Sequence, residues 1–331
     1  DVSATMRDGS VLRADVYRPD TTGRFPTLLV RTPYDKRRES FLEMGHKLAE
    51  LGYTVAFQDV RGRFASDGEF APGFYSSDHR DTEDGYDSVE WVAGLPWSTG
   101  RVGTIGNSYN GWTQWELAHT RPPHLVAMLP QGCVANLLDR ELSGVLRLGR
   151  VLWWTVNTLA PDQRRRAGTK LGPTVVEEAE RLWAERDRLK WLWSLPLADI
   201  PDGAMFGMGP HWKRWLADHA TDHFRFEERH AKIEVPALMT TGWYDQQIGT
   251  IKNFTGMVKN GGTEHARRNQ RLIIGPWSHT GTDWVRRVGE VDFGPAADRD
   301  FYRTADLWFG HWLKGESNGA MDVAPVRLFV M

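Results

Sequence analysis

The sequence predicts an α/β fold, with a mainly parallel sheet, helices on both faces and a long helical insertion. Three observations carry this expectation. Short apolar runs alternate with helix-like stretches through residue 119, strand signals vanish between 136 and 229, and apolar runs resume at 237–241 and 271–275. Alternating strands and helices build parallel sheets because each parallel connection needs a crossover.

Residues 11–17 alternate as a half-buried strand does, and Arg18-Pro19-Asp20 ends them in a turn. Residues 27–31 form a short continuous apolar run, the pattern of a strand covered on both faces. A helix over 40–51 leads through Gly52 into a second such strand at 53–59. Residues 81–93 read as a helix with Val89, Trp91 and Val92 among its apolar positions. A strand at 101–105 and a helix at 109–119 follow. The stretch 136–229 is rich in Arg, Leu, Trp and Glu at helical spacing, most clearly over 175–193, and reads as an inserted cap. After the strands at 237–241 and 271–275, a helix is expected over 301–314 and a strand at 326–331 with no visible partner. The core is therefore expected in two parts, 1–135 and 230–320, around a cap at 136–229. Residues 321–331 read as the start of a further β domain, since a lone strand cannot end a domain usefully.

Composition narrows the function classes. A formal charge of −2 at pH 7 gives no global field for nucleic acid or anionic lipid. One cysteine, Cys133, allows no intramolecular disulfide and no sulfur-rich metal site, and neither a metal nor a cofactor is expected. No apolar run approaches the roughly 20 residues that cross a bilayer, and residues 1–6 lack the basic-then-apolar layout of a secretory signal. The default expectation is a cytoplasmic protein. Arg164-Arg165-Arg166 reads as a solvated helix face, and His211, His219 and His223 are scattered among charged residues without metal-site logic.

The strongest chemical signal is Gly106-Asn107-Ser108-Tyr109-Asn110-Gly111, entered from a strand and left by a helix. A serine on such a tight strand-to-helix turn stands above the sheet as a nucleophile elbow, the signature of an α/β-hydrolase. The general pattern has glycine two residues after the serine, whereas here that place is Asn110 and Gly111 follows. In this fold the acid and the histidine come later, each on a loop after a strand. The strand at 237–241 runs into Gly242-Trp243-Tyr244-Asp245, and the strand at 271–275 into Pro276-Trp277-Ser278-His279. Ser108, His279 and Asp245 are thus the expected nucleophile, general base and orienting acid. Asp283 is the competing carboxylate, and His265 and His311 are competing histidines. An acyl-transfer site also needs oxyanion donors. The backbone N–H of Tyr109 is one, and the loop after the strand at 27–31, which carries Tyr34, supplies the other. Asp59 and Arg61 in Asp59-Val60-Arg61-Gly62-Arg63 read as an ion pair or loop brace.

Arg31-Thr32-Pro33-Tyr34-Asp35-Lys36, the Gln58 to Arg63 segment, the elbow, Gly242-Trp243-Tyr244-Asp245 and Gly275-Pro276-Trp277-Ser278-His279 resemble, in this order, the cocaine esterase-like (CocE/NonD) hydrolases. That family is related to Xaa-Pro dipeptidyl peptidases and α-amino-acid ester hydrolases. The resemblance implies a triad of Ser108, Asp245 and His279, with the Tyr34 hydroxyl and Tyr109 N–H as the oxyanion hole. It also implies a helical cap and a C-terminal jelly roll.

The 16 tryptophans bear on the substrate. Trp153 and Trp154 sit where related esterases place an aromatic wall, and Trp243 and Trp277 flank the acid and base. These four are the expected substrate-binding residues. Trp183, Trp191, Trp193, Trp212 and Trp215 are expected in the core. The leading expectation is a carboxylic ester hydrolase for apolar or aromatic acyl groups, acting on a small-molecule ester without nucleic-acid or membrane partners, with a homodimer as one option for its assembly. The sister reading, an amino-acid ester hydrolase or Xaa-Pro peptidase, needs carboxylates for an α-ammonium group, with Asp139 and Glu141 as candidates. A reading from another class is a silent α/β-hydrolase that only binds.

Overall fold

The computed structural model describes residues 1–71, 80–136, 147–170, 172–206, 208–217, 225–245, 248–279 and 282–331, apart from the Trp215 side chain. Its centre is a nine-stranded sheet in the order β1-β2-β4-β3-β5-β6-β7-β8-β11. The strands are β1 Val2–Thr5, β2 Val11–Tyr17, β3 Phe25–Thr32, β4 Thr54–Asp59, β5 Ser98–Asn107, β6 Leu125–Gln131, β7 Leu238–Gly242, β8 Arg271–Gly275 and β11 Val326–Leu328. β9 Arg287–Val288 and β10 Val291–Asp292 form a separate small hairpin. β1 and β2 pair antiparallel, as do β2 and β4; every other pairing in the large sheet is parallel.

Helices cover both faces. On one lie α1 Glu39–Glu50 and α11 Phe301–Phe309; on the other lie α2 Arg80–Ala93, α3 Tyr109–Ala118 and the helices of the insertion. The β3 side chains sort accordingly: Leu28 and Val30 join the first core, while Leu29 joins the second. A strand buried on both faces can therefore be apolar without alternation. α1 buries Met44, Gly45, Leu48 and Ala49, one stripe at helical spacing. At Gly45 a Cβ would stand 2.7 Å from the Tyr17 ring, so glycine lets this helix close onto β2. α3 is buried along its whole length.

Between β6 and β7 the described residues carry helices and no strand. They include α4 Leu148–Trp153, a π-helical turn Trp154–Leu159, α5 Ala160–Arg166, α6 Val176–Leu182, α7 Arg188–Trp191 and α8 Gly209–Ala217. After β7 come α9 Gly249–Asn260 and α10 Glu264–Arg268, which lead into β8. Trp183 and Trp212 are buried as expected, but Trp193 is 81% exposed. Arg164 also departs from its expected solvated face. It is buried, and its guanidinium donates to the carbonyls of Pro173, Gly203 and Ala204.

The last strand requires a correction. β11 has a partner: it pairs in parallel with β8, Val326 beside Leu272 and Leu328 beside Ile274, and forms the edge of the main sheet. β1, β6, β9 and β10 carried no strand reading. β6 contains Pro130, a residue that argues against a central strand. No helix among the described residues is long and apolar enough to cross a membrane.

Candidate active site

β5 ends at Asn107 and α3 starts at Tyr109, leaving Ser108 to make the whole turn. Its backbone sits at φ 60° and ψ −119°, a region that L-residues enter at a cost of order 1–3 kcal/mol. Hydrogen bonds hold it there. The Ser108 N–H donates to Gln131 O on β6 (3.0 Å), and the Ser108 carbonyl accepts from Gly111 and Trp112 N–H (3.0 and 2.9 Å). Both elbow glycines are steric requirements. A Cβ on Gly106 would lie 2.6 Å from Asn110 Cβ, and one on Gly111 would lie 2.1 Å from Cys133 Sγ. Gly111 thus lets α3 approach the segment after β6, while a buried Asn110 fills the place where the general pattern has glycine.

Asp245 and His279 meet after β7 and β8. His279 Nδ1 lies 3.0 and 3.1 Å from the two Asp245 carboxylate oxygens. A tautomer that donates Nδ1–H to this carboxylate leaves Nε2 as the basic nitrogen. The Asp245 side chain is 3% exposed and that of His279 25%, so the acid is sheltered while the ring remains accessible. Asp283 is exposed. Gly132, which sequence reasoning passed over, lies against the pair. A Cβ there would be 2.7 Å from Asp245 Oδ2 and 3.2 Å from His279 Nδ1, and φ is +48°. Its signal was a glycine directly after a strand, but β6 itself was not read.

Tyr34 follows β3 in a loop with several anchors. Its N–H donates to Thr32 Oγ1 (3.1 Å), and Lys36 N–H donates to Asp59 Oδ1 (2.8 Å). Burial pushes the Asp59 carboxyl up to about 7, with the Lys36 amide opposing the rise. Asp59 is therefore a loop brace, but its expected pairing with Arg61 is not made. Arg61 binds Asp84 and Asp8 instead. The Tyr34 ring meets Tyr109 edge-on at 6.4 Å. The Tyr109 N–H belongs to the first turn of α3, where backbone amides point out of the helix end.

Ser108, His279, Tyr34, Trp153 and Trp154 line one open cavity of about 890 Å³ between core and insertion. Trp154 also stacks on the Tyr109 ring (6.1 Å). Trp243 and Trp277, expected in the substrate wall, do not line it, which corrects that expectation. Trp277 is buried, stacked on Trp284 at 4.9 Å, and its Nε1 donates to Ala297 O. Trp243 turns to the sheet edge, where its Nε1 donates to Phe329 O just after β11 (2.6 Å). Asp139 and Glu141 lie outside the described residues, as do His219 and His223. No group of three or more His, Cys, Asp or Glu side chains among the described residues is arranged to hold a metal ion.

A parallel sheet, an elbow serine at its C-terminal edge and a histidine–carboxylate pair beside it define an α/β-hydrolase. The X-Pro dipeptidyl-peptidase (S15) family model matches residues 8–281, and the chain belongs to that family. It is 33% identical over 356 aligned positions to cocaine esterase of Rhodococcus sp. (strain MB1 Bresler), covering 100% of this chain and 57% of that relative. An aminopeptidase from the marine sediment archaeon Thaumarchaeota archaeon superposes with a TM-score of 0.73 at 22% identity, over 98% of this chain and 56% of that one. A CocE/NonD family hydrolase from Staphylococcus aureus superposes at 0.64 and 22% identity, over 100% of this chain and 53% of that one. The chain therefore spans a little over half the length of these relatives.

Proposed function

We propose that the protein is a serine carboxylic ester hydrolase that cleaves apolar or aromatic acyl esters through an acyl-enzyme. The observation that carries this reading is His279, paired with a sheltered Asp245, lining the same cavity as a strained elbow serine. In this mechanism His279 Nε2 takes the Ser108 hydroxyl proton as Oγ attacks the acyl carbon, and Asp245 holds the ring and stabilises its charge. The Tyr34 hydroxyl and the Tyr109 N–H donate to the oxyanion of the tetrahedral intermediate. Collapse expels the alcohol, which leaves with the proton carried by His279. Water, activated by the same ring, then releases the acid and restores Ser108.

Trp153 and Trp154 favour a flat or apolar acyl group in this wall, because aromatic faces give large contact area at little entropic cost. The similarity to cocaine esterase agrees with an ester substrate. A second reading, cleavage of substrates with a free α-ammonium group, draws on the family name and on two cavity-lining carboxylates. Glu177 and Glu180 are exposed on α6 with no ion-pair partner among the described residues. Hydrolysis of p-nitrophenyl butyrate, phenyl benzoate, phenylglycine methyl ester and Ala-Pro-p-nitroanilide separates the two. Turnover of the plain esters, lost in Ser108→Ala, supports the ester reading. Turnover confined to the two amine-bearing substrates replaces it with the second.

A further inference from the structure

Outside the proposed chemistry, Arg63 is a buried cation that ties two walls of the cavity together. Its side chain is fully buried, and its guanidinium donates to three main-chain carbonyls: Nε to Pro33 O (2.9 Å), NH1 to Leu159 O (2.8 Å) and NH2 to Thr158 O (3.1 Å). The counter-charge, Asp162, is 3.5 Å away. Pro33 precedes Tyr34. Thr158 and Leu159 end the π-helical turn that begins at Trp154. A single planar fork therefore spans the loop of the proposed oxyanion donor and the end of the aromatic wall. Carbonyls far apart in sequence, those of Pro33 and Leu159, share one cation, and its rigid geometry fixes their spacing.

The segment around Arg63 is held to match. Phe64, a cavity-lining residue, has a left-handed backbone at φ 45°. Its N–H donates to Asp162 Oδ2 (3.0 Å) and its carbonyl accepts from Arg166 (2.8 Å), both on α5. Gln163 of the same helix donates to Gly62 O (3.0 Å). Phe64 and Phe70 lie about the guanidinium, with ring centres 4.9 and 5.0 Å from its carbon. Burying a charge this deeply is costly unless its donors are satisfied, and here main-chain carbonyls satisfy them.

We propose that Arg63 is a positioning residue that sets the Tyr34 loop against the Trp153–Trp154 wall, so that the oxyanion donor and the acyl-binding face move as one unit. The inference rests on the proposed role of Tyr34 for its kinetic consequence, but not for its mechanical one. Lysine keeps the charge but offers no fork, so Arg63→Lys should uncouple the two walls.

The test combines two measurements on the intact protein. In hydrogen exchange, Arg63→Lys should speed exchange at 34–36 and 158–163 while β5 and α3 keep wild-type protection. In a double-mutant cycle with Tyr34→Phe, Arg63→Lys should lower kcat about tenfold when Tyr34 is intact and less than about twofold when Tyr34→Phe is already present. Unchanged local exchange, or additive losses in the cycle, overturns the proposal. If the wild type hydrolyses no ester, the functional reading fails on its own, and the exchange pattern still decides whether Arg63 couples the walls. Should Arg63→Lys not fold, Arg63→Met, which leaves no unpaired cation, takes its place. Loss of the fold in both makes Arg63 a folding requirement and ends the positioning claim.

Discussion

Replacing Tyr34 by phenylalanine removes one hydroxyl from the cavity wall and leaves the ring contact with Tyr109. As an oxyanion donor it should then cost on the order of 10²–10³ in kcat, with the melting temperature nearly unchanged. An unaltered kcat would take the phenol out of the mechanism. Asp245→Asn keeps the shape but no longer fixes the His279 tautomer, and should cost on the order of 10⁴ in kcat. Asp283→Asn, at an exposed carboxylate, should cost little by the same assay. Gly132→Ala would push a methyl group against Asp245 and His279 at a positive φ, so both activity and melting temperature should fall. The elbow turn at Ser108 and the pairing of Asp245 with His279 were legible in the sequence because each of these residues follows a strand, and strand ends can be read from apolar runs. Trp243 and Trp277 were misread because adjacency to an acid or base says nothing about which way a loop turns. Trp277 packs under Gly275, at which a Cβ would lie 2.2 Å from its ring. Arg63 stands in the Gln58 to Arg63 segment that resembles the family, but its proposed role leaves no signal there, since its acceptors are carbonyls, which every residue carries.

Among the elements, the loop joining β3 to α1 is braced by a titrating group, since Lys36 N–H donates to Asp59. Asp59 is raised to about 7 by burial, above its ordinary range in the unfolded chain. Its folded form therefore holds a proton more tightly, and its contribution to stability is complete below the ordinary carboxylate range and lost as pH rises through about 7. Melting temperature should fall across that window, and Asp59→Asn should flatten part of the fall. Glu116, which burial also raises to about 7 against the pull of Arg229, and Asp84, which burial raises as well, add to the fall with the same sign. A melting curve equally steep in Asp59→Asn would remove Asp59 from this account. The strands and helices of the core were legible to within a few residues at β2, β3, β4, α1, α2 and α3. β6 has no counterpart in the sequence analysis, and the partner of β11 has none because pairing between segments distant in sequence leaves no local trace.

At the scale of the molecule, two tryptophans near the site divide core from cavity. Trp277→Ala opens a void beneath the site and should cost about 3–5 kcal/mol in chemical denaturation. Trp154→Ala should instead raise KM for phenyl benzoate more than for p-nitrophenyl acetate, at a smaller cost in stability. Equal stability losses would place Trp154 in the core rather than in the wall. The parallel sheet and the helical insertion were legible because they rest on repeated patterns. The path of the final strand was not, because its only evidence was its own few residues. The central claim is that Ser108 is the nucleophile, and reaction with a fluorophosphonate followed by peptide mass spectrometry tests it most directly. One adduct per chain, on Ser108, absent in Ser108→Ala and slowed in Asp245→Asn, is the predicted result. A folded protein that takes no label, or takes it on another residue, would contradict the assignment.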